Sequence, residues 1–545
     1  MRWVRPLSIV GILLGTLFFA FSLTPSLLPR PFAVQGVISG LSVTAGYALG
    51  AIAQWLWYYL ELPAPRVRVA RIMWIISAVV CALVVVFFMW RASEWQGSIR
   101  ALMGMEESVA VQPLGVAVVA FLVFVLLLTL ARLFRGTFRF LSEKLQVVVP
   151  RRISNVFGVL AALGLFWAVI DGVIFTLALR AADSSYQQID ALIEDDHERP
   201  TDPEKAGSPQ SLVDWQDLGR QGRSFISSGP TAAQISEFHG SQKPEPIRVY
   251  IGLNAAETPE QRARLALEEL KRVNAFERSI LLLVTPTGTG WVDPAAADPV
   301  EYLHRGDIAT VTAQYSYLPS PLSLWVEEDY GVETARALFE EIYGYWTDLD
   351  ADSRPDLFLH GLSLGALNSD RSFDFYDIIH DPFQGALWSG PPFRSETWQR
   401  ITERRTPDSP AWLPVFRDGH VVRFMNQEQG FDKPDEPWGP FRIGYLQYAS
   451  DPVTFFEPES FYREPAWMSG PRGPDVAPVL RWYPIVTMLQ LAADMAAGSA
   501  PIGYGHNYAA EHYIDAWLKL TEPQDWSEEE IDRLKDKFRS QQGKD

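Results

Sequence analysis

An apolar run, Leu357-Phe358-Leu359, meets Gly361-Leu362-Ser363-Leu364-Gly365 in the stretch "DLFLHGLSLGALNS". The pattern Gly-x-Ser-x-Gly suits a nucleophilic serine held on a sharp turn between a strand and a helix. The residues two before and two after the serine must lack a Cβ for strand and helix to approach. A serine hydroxyl is a weak nucleophile at neutral pH, so it needs a histidine base oriented by a carboxylate.

Four of the eight histidines follow Ser363, namely His380, His420, His506 and His512. His506 lies in "PIGYGHNY", a glycine-flanked loop before an apolar helix pattern that contains His512. A loop in that place suits a base, which makes His506 the leading candidate and His512 its alternative. Asp451 ends the run "FRIGYLQYASDPV", where Pro452 stops a strand. It is the leading acid, with Asp374, Asp381 and Asp475 as alternatives. A tetrahedral oxyanion needs two N–H donors. Leu364, directly after the nucleophile, supplies one, and the loop "VTPTGTGWVDP" offers Thr287 or Gly288 for the other. That loop lacks the Gly-Lys-Ser/Thr ending of a phosphate-binding loop and the spacing of a dinucleotide fingerprint. No motif calls for a cofactor, and no His or Asp cluster calls for a metal.

These residues need a scaffold, and the pattern after residue 246 alternates strand and helix. "IRVYIGL", "SILLLVT" and "IATVTAQY" read as strands. "TPEQRARLALEELKRV" reads as a helix with a capping box, Thr258 to Gln261, and Pro259 at its first position. "VETARALFEEIYGYW" is amphipathic, and "HVVRFMN" is a further strand. The alternation predicts a mostly parallel sheet with crossover helices.

The first third of the chain has another composition. Residues 1–180 carry 15 Lys and Arg against 6 Asp and Glu, a net of +9; the whole chain carries 47 and 65, leaving −27 for the remainder. An acidic remainder argues against nucleic acid as a partner. The single cysteine, Cys81, excludes an intramolecular disulfide. Five apolar runs, near residues 8–28, 33–60, 69–90, 113–131 and 155–179, approach the length needed to cross about 30 Å of hydrocarbon. They make the lipid bilayer an expected partner. Eleven basic residues fall on one side of these spans. The opposite short loops carry only Arg30, Arg91 and Arg100. The basic side is expected to be cytoplasmic, so the domain after five crossings would lie outside the cytoplasm. Gly36/Gly40 and Gly46/Gly50 allow close helix contact, within the chain or as self-association. Asp171 is a carboxylate inside the fifth run.

The expected organisation is a transmembrane domain over 1–180, a polar linker over 181–245 and a catalytic domain over 246–545. The stretches "LGRQGRSFI", "TPTGTGWVDP", "LHGLSLGALNSD", "WSGPPF", "YLQYASDP", "RWYPIVT" and "GHNYAAEHYIDAW" carry a further resemblance. On them the chain resembles a largely uncharacterised bacterial family of membrane-anchored α/β-hydrolases with a multi-span N-terminal domain. The resemblance implies an α/β-hydrolase fold and triad positions for Ser363, Asp451 and His506. One departure is that the interval between Asp451 and His506 shows no strand pattern. It holds Phe455, Phe456, Phe461, Tyr462, Trp467, Trp482 and Tyr483, which with "SYLPSPLSLW" would suit the wall of an apolar groove. The expected substrate is a lipid-like carboxylic ester. An acyl-serine can also be resolved by a sugar or lipid hydroxyl, which would make the protein an acyltransferase. A non-enzymatic reading, with the helices as scaffold or transport unit, rests on Asp171 alone.

Overall fold

A computed structural model describes residues 7–63, 65–106, 112–146, 150, 159–160, 190, 198–318, 328–432, 434–498 and 500–542. The chain divides into two units. One comprises Met1–Ala181 with Phe456–Ser499, the other Ala182–Phe455 with Ala500–Asp545.

The first unit is helical. Its N-terminal helices are α1 (Ile9–Ser22), α2 (Phe32–Tyr59), α3 (Val67–Leu102) and α4 (Pro113–Leu145). The last three are long and apolar enough to cross a membrane. Helix α1 is shorter than the expected first span. Its 14 residues rise about 21 Å against a hydrocarbon core of about 30 Å. The helix stops because Pro25 disfavours helical backbone at Thr24, and Pro29 and Pro31 follow. Of the expected fifth span over 155–179 only residues 159–160 are described, and Asp171 lies outside the described residues.

Helix α2 packs between α1 and α4 through its glycines. A Cβ on Gly46 or Gly50 would collide with the backbone of Leu14 or of Val10 and Gly11; one on Gly36 or Gly40 would collide with Val119 or Val123. Both Gly-x-x-x-Gly spacings are therefore occupied by contacts within the chain.

The stretch 456–499 was expected to belong to the catalytic domain. It groups instead with the N-terminal helices, and the bonds show why. Arg30 Nε meets Asp494 Oδ1 at 2.5 Å with both side chains fully buried. The Leu27 N–H donates to Asp494 Oδ2 at 3.1 Å. Gln490 Nε2 donates to the Thr24 carbonyl at 3.0 Å. Tyr483 stacks on Phe21 with ring centroids 4.0 Å apart. Trp467 is buried, and Trp482 Nε1 donates to the Ser460 carbonyl. These three aromatics serve packing within the helical unit. Of the other expected wall, "SYLPSPLSLW" over 316–325, the residues from 319 onward lie outside the described residues.

The second unit carries a seven-stranded, wholly parallel sheet in the order β1-β3-β2-β4-β5-β7-β6. The strands are β1 (Ile247–Ile251), β2 (Ile280–Thr285), β3 (Ile308–Ala313), β4 (Asp356–Leu362), β5 (Gly385–Ser389), β6 (Val422–Met425) and β7 (Arg442–Leu446). The residues of β1, β3 and β5 are buried throughout, as continuous apolar runs demand when helices cover both faces. Strand β5, "GALWS", is a five-residue run between Asp381-Pro382 and Gly390-Pro391. The region expected to be a linker is structured from residue 198 onward. It forms α5 (Gly219–Ser228) and α6 (Ala232–His239), and buries Val213, Trp215, Leu218, Phe225 and Ile226. Ser211 Oγ and the Leu212 N–H anchor it to Glu269 at 2.6 and 3.0 Å. Glu269 lies on α7 (Pro259–Arg272), which starts with the expected Thr258–Gln261 capping box.

Candidate active site

Strand β4 delivers Ser363, and helix α10 (Leu364–Asp370, after α8, Pro294–Leu303, and α9, Glu328–Thr347) carries the chain away. Ser363 sits at φ 57° and ψ −125°, backbone angles that side-chain-bearing residues rarely adopt. Both flanking glycines are obligatory. A Cβ on Gly361 would strike the backbone of Gly365, and one on Gly365 would strike the Thr285 carbonyl at the end of β2. The mechanical role read from the sequence is thus met by backbone approach on both sides of the serine.

The Ser363 N–H donates to the Ser389 carbonyl at 2.9 Å, tying the turn to the end of β5. The next residue, Gly390, borders His506: a Cβ there would lie 2.7 Å from the imidazole Cε1. Serine and histidine therefore converge on Ser389–Gly390. His506 Nδ1 is 2.7 Å from Asp451 Oδ2, while its buried Nε2 has no hydrogen-bond partner among the described residues.

Asp451 is fully buried directly after β7 and the segment that ends it. Its Oδ1 accepts from the Val453 N–H at 2.8 Å and the Thr454 N–H at 3.4 Å. Its Oδ2 accepts from Tyr508 OH at 2.8 Å and Thr454 Oγ1 at 3.2 Å, besides facing His506. The carboxylate is thus held by five donors, and the histidine by the carboxylate. Burial, with Asp451 close by, pushes the Tyr508 phenol well above its ordinary range, so it remains a donor.

The alternatives fall elsewhere. His512 Nδ1 lies 2.5 Å from Tyr448 OH. His380, His420 and Asp374 are exposed. Asp381 pairs with Arg354 at 2.5 Å. Asp475 is in the helical unit.

The loop after β2 lies beside the turn, since Gly365 packs against the carbonyls of Thr285 and Pro286. Of the two residues expected to donate from it, the Thr287 amide is engaged: its N–H bonds the Trp291 carbonyl at 3.0 Å and closes the loop. Gly288 is buried. Two residues not singled out from sequence hold the loop. Tyr250 OH, from β1, donates to the Gly290 carbonyl at 2.8 Å, and Gln314 Nε2, just past β3, donates to the Thr289 carbonyl at 3.2 Å. Leu364 occupies the first position of α10, where a backbone N–H has no helical acceptor.

Asp293 closes the same loop. Its Oδ1 accepts from the Ala295 N–H at 2.9 Å and caps α8. Burial pushes its carboxyl up to about 7; the Ala295 bond, Tyr513 and His506 oppose that shift, and Asp298 adds to it. Asp293 is thus an electrostatic neighbour of the histidine. Asp293 stands in "WVDP", directly before the proline that starts α8. The four residues that support the site without touching its centre, Tyr250, Gln314, Tyr508 and Asp293, carry no spacing signal, because their partners lie across strands or loops. Among the described residues no group of three or more His, Cys, Asp or Glu could hold a metal ion.

Residues 247–534 match a family described as "Alpha/beta-hydrolase family", and residues 23–230 match "Alpha/beta-hydrolase family N-terminus". No curated protein and no solved structure matches the chain.

Proposed function

Because the chain belongs to the alpha/beta-hydrolase family, we propose that it is a membrane-tethered serine hydrolase that cleaves a lipid-like carboxylic ester. Ser363 Oγ attacks the ester carbonyl while His506 Nε2 takes its proton. The tetrahedral oxyanion is met by the Leu364 N–H and a donor of the loop after β2, which carries Thr287 and Gly288. Collapse expels the alcohol, which receives the proton from His506, and leaves an acyl-serine. His506 then activates water, whose attack releases the acid and restores Ser363. Asp451 fixes the imidazole and stabilises its cation.

The observation that carries the reading is the imidazole of His506: one nitrogen is bonded to a fully buried carboxylate, and the other is buried without a hydrogen-bond partner among the described residues. It borders the strand end to which the strained serine is tied. A core histidine would have both nitrogens satisfied. Support for a lipid-like substrate is the attached set of apolar helices. The charge asymmetry of their loops supports a catalytic unit outside the cytoplasm.

The test is labelling of membranes with a fluorophosphonate probe, followed by ester hydrolysis over a series of acyl lengths. Labelling is expected at Ser363 and lost in Ser363→Ala, together with about 10⁴-fold of the hydrolysis rate. A fully active Ser363→Ala protein would overturn the proposal. Addition of an alcohol acceptor separates hydrolysis from acyl transfer by the product formed.

A further inference from the structure

The helical unit holds a cavity of about 330 Å³ where the α1–α2 connection, the end of α3 and the start of α4 meet. That is the lower end of the range for small-molecule sites. From it we infer a binding site for an anionic lipid: one apolar chain end inside the bundle, with a phosphate or carboxylate head at Arg100 and Gln96.

The lining is polarised along α3. Met89, Ala92, Gln96 and Arg100 share one helix face. Met89 and Arg100 are eleven residues apart, about 16 Å of helix rise. Leu23 and Val116 accompany Met89 at the apolar end, and Gln112 lies one turn before Val116 on α4. Helix α3 has 36 residues, about 54 Å, and so outruns the roughly 30 Å hydrocarbon core. Its apolar run ends at Trp90, an interfacial anchor type. The residues beyond Trp90 therefore fall at head-group depth.

The polar groups separate into satisfied and available. Arg30 is neutralised by Asp494, and it also donates through Nη1 to Gln35 Oε1 at 3.3 Å. Gln35 Nε2 donates to the Ser22 carbonyl at 2.8 Å. Those groups build the wall. Gln96 uses Oε1 to accept from the Arg30 N–H at 3.2 Å, and its Nε2 makes no hydrogen bond among the described residues. Arg100 uses only Nε, donating to the Glu106 carbonyl at 2.9 Å, which leaves both terminal nitrogens without a partner among the described residues. Among the described residues no carboxylate lines the cavity. Of the three basic residues on the side opposite the basic loops, Arg30 and Arg100 both line it. An anionic head with an apolar tail matches this arrangement at both ends.

The inference rests on the membrane reading of the helices and is independent of the catalytic one, so Ser363→Ala must bind as wild type does. The full-length protein, purified in detergent, is exposed to phosphatidylglycerol and phosphatidylcholine of equal chain length, and retained lipid is read by native mass spectrometry. Phosphatidylglycerol is expected to be retained at least about fivefold over phosphatidylcholine, the effect of one accessible cation. Arg100→Gln should remove the preference. Ala92→Phe, which fills the cavity, should remove retention of both lipids. Equal retention of the two lipids by wild type would overturn the site whatever the variants do. An unchanged preference in a folded Arg100→Gln protein would do the same. Displacement of the lipid by millimolar inorganic phosphate, regardless of chain length, would reduce the cavity to an anion site and refute the lipid assignment.

Discussion

Asp451 Oδ2 lies 2.7 Å from His506 Nδ1 and accepts from Tyr508 OH at 2.8 Å, so one buried oxygen serves both rings. The two interactions differ in what their loss should do. Asp451→Asn keeps the shape but presents a donor where the imidazole N–H needs an acceptor, and is expected to lower kcat by about 10⁴-fold. Tyr508→Phe removes one of five donors to the carboxylate and leaves the histidine contact in place, so a loss of about tenfold is expected. Steady-state ester hydrolysis by the two variants checks the order. Equal losses would mean that Tyr508 does more than hold the acid.

The turn at Ser363 depends on two absent Cβ atoms. Gly365→Ala would drive a methyl into the Thr285 carbonyl. We expect a loss of stability of at least about 3 kcal/mol, in the range of core overpacking with added backbone strain. Gly344, on α9, has open space where its Cβ would be. Gly344→Ala is expected to stabilise by about 0.5–1 kcal/mol through helix propensity alone. Thermal denaturation of both variants provides the comparison, and the sign should differ between them.

The legible parts of this protein are those whose chemistry is local in sequence. The turn at Ser363 announces itself because the two required glycines are its own neighbours. Asp451 stands out in the sequence because a proline follows a strand-like run, and His506 because glycines frame its loop; the structure brings the two within 2.7 Å. Strand β5 is hard to read from sequence because "GALWS" is only five residues long and buried on both sides, a pattern shared with short helical segments. The interval after Asp451 showed no strand, and none is there among the described residues. Its destination was not legible, since Arg30 and Asp494 are 464 positions apart. The first apolar run outlasts its helix for a local reason: hydropathy continues through Leu27 and Leu28, while Pro25 has already ended the helix.

Asp293 should leave a mark on the pH dependence of stability. Its carboxyl titrates near 7 in the fold and at about 3.8 when free. The folded state therefore holds the proton more tightly. The associated stabilisation is complete below about pH 4 and is lost as pH rises toward 7. His360, buried on β4, acts in the opposite sense. Its pKa is lowered by burial to about 4, so its contribution is present above about 6.5 and lost as pH falls. The wild-type profile sums these two with other buried groups, among them His304, lowered by burial to about 4, and Asp370, raised by burial to about 6. Asp293→Asn keeps an oxygen for the Ala295 N–H and removes only the first. Relative to wild type, the variant should gain stability from pH 4 to 7, read as a rising difference in melting temperature. A difference that does not change with pH would show that Asp293 is ionised in the fold.

The Arg30–Asp494 pair gives the sharpest test of why 456–499 groups with the N-terminal helices. Both side chains are fully buried, and Asp494 also accepts from the Leu27 N–H. Removing one partner leaves an uncompensated charge in a site that excludes water, at a cost of about 3–5 kcal/mol. Asp494→Ala and Arg30→Ala should each lower the melting temperature of the full-length protein in detergent. Asp494→Asn should cost less, because its oxygen still accepts from the Leu27 N–H. The double replacement Arg30→Met with Asp494→Leu removes both charges together. It should recover much of the loss, since apolar replacements of a buried pair are often neutral. Additive losses in the double variant would mean that the two side chains act separately and that other contacts, such as Tyr483 on Phe21, hold this stretch to the helices.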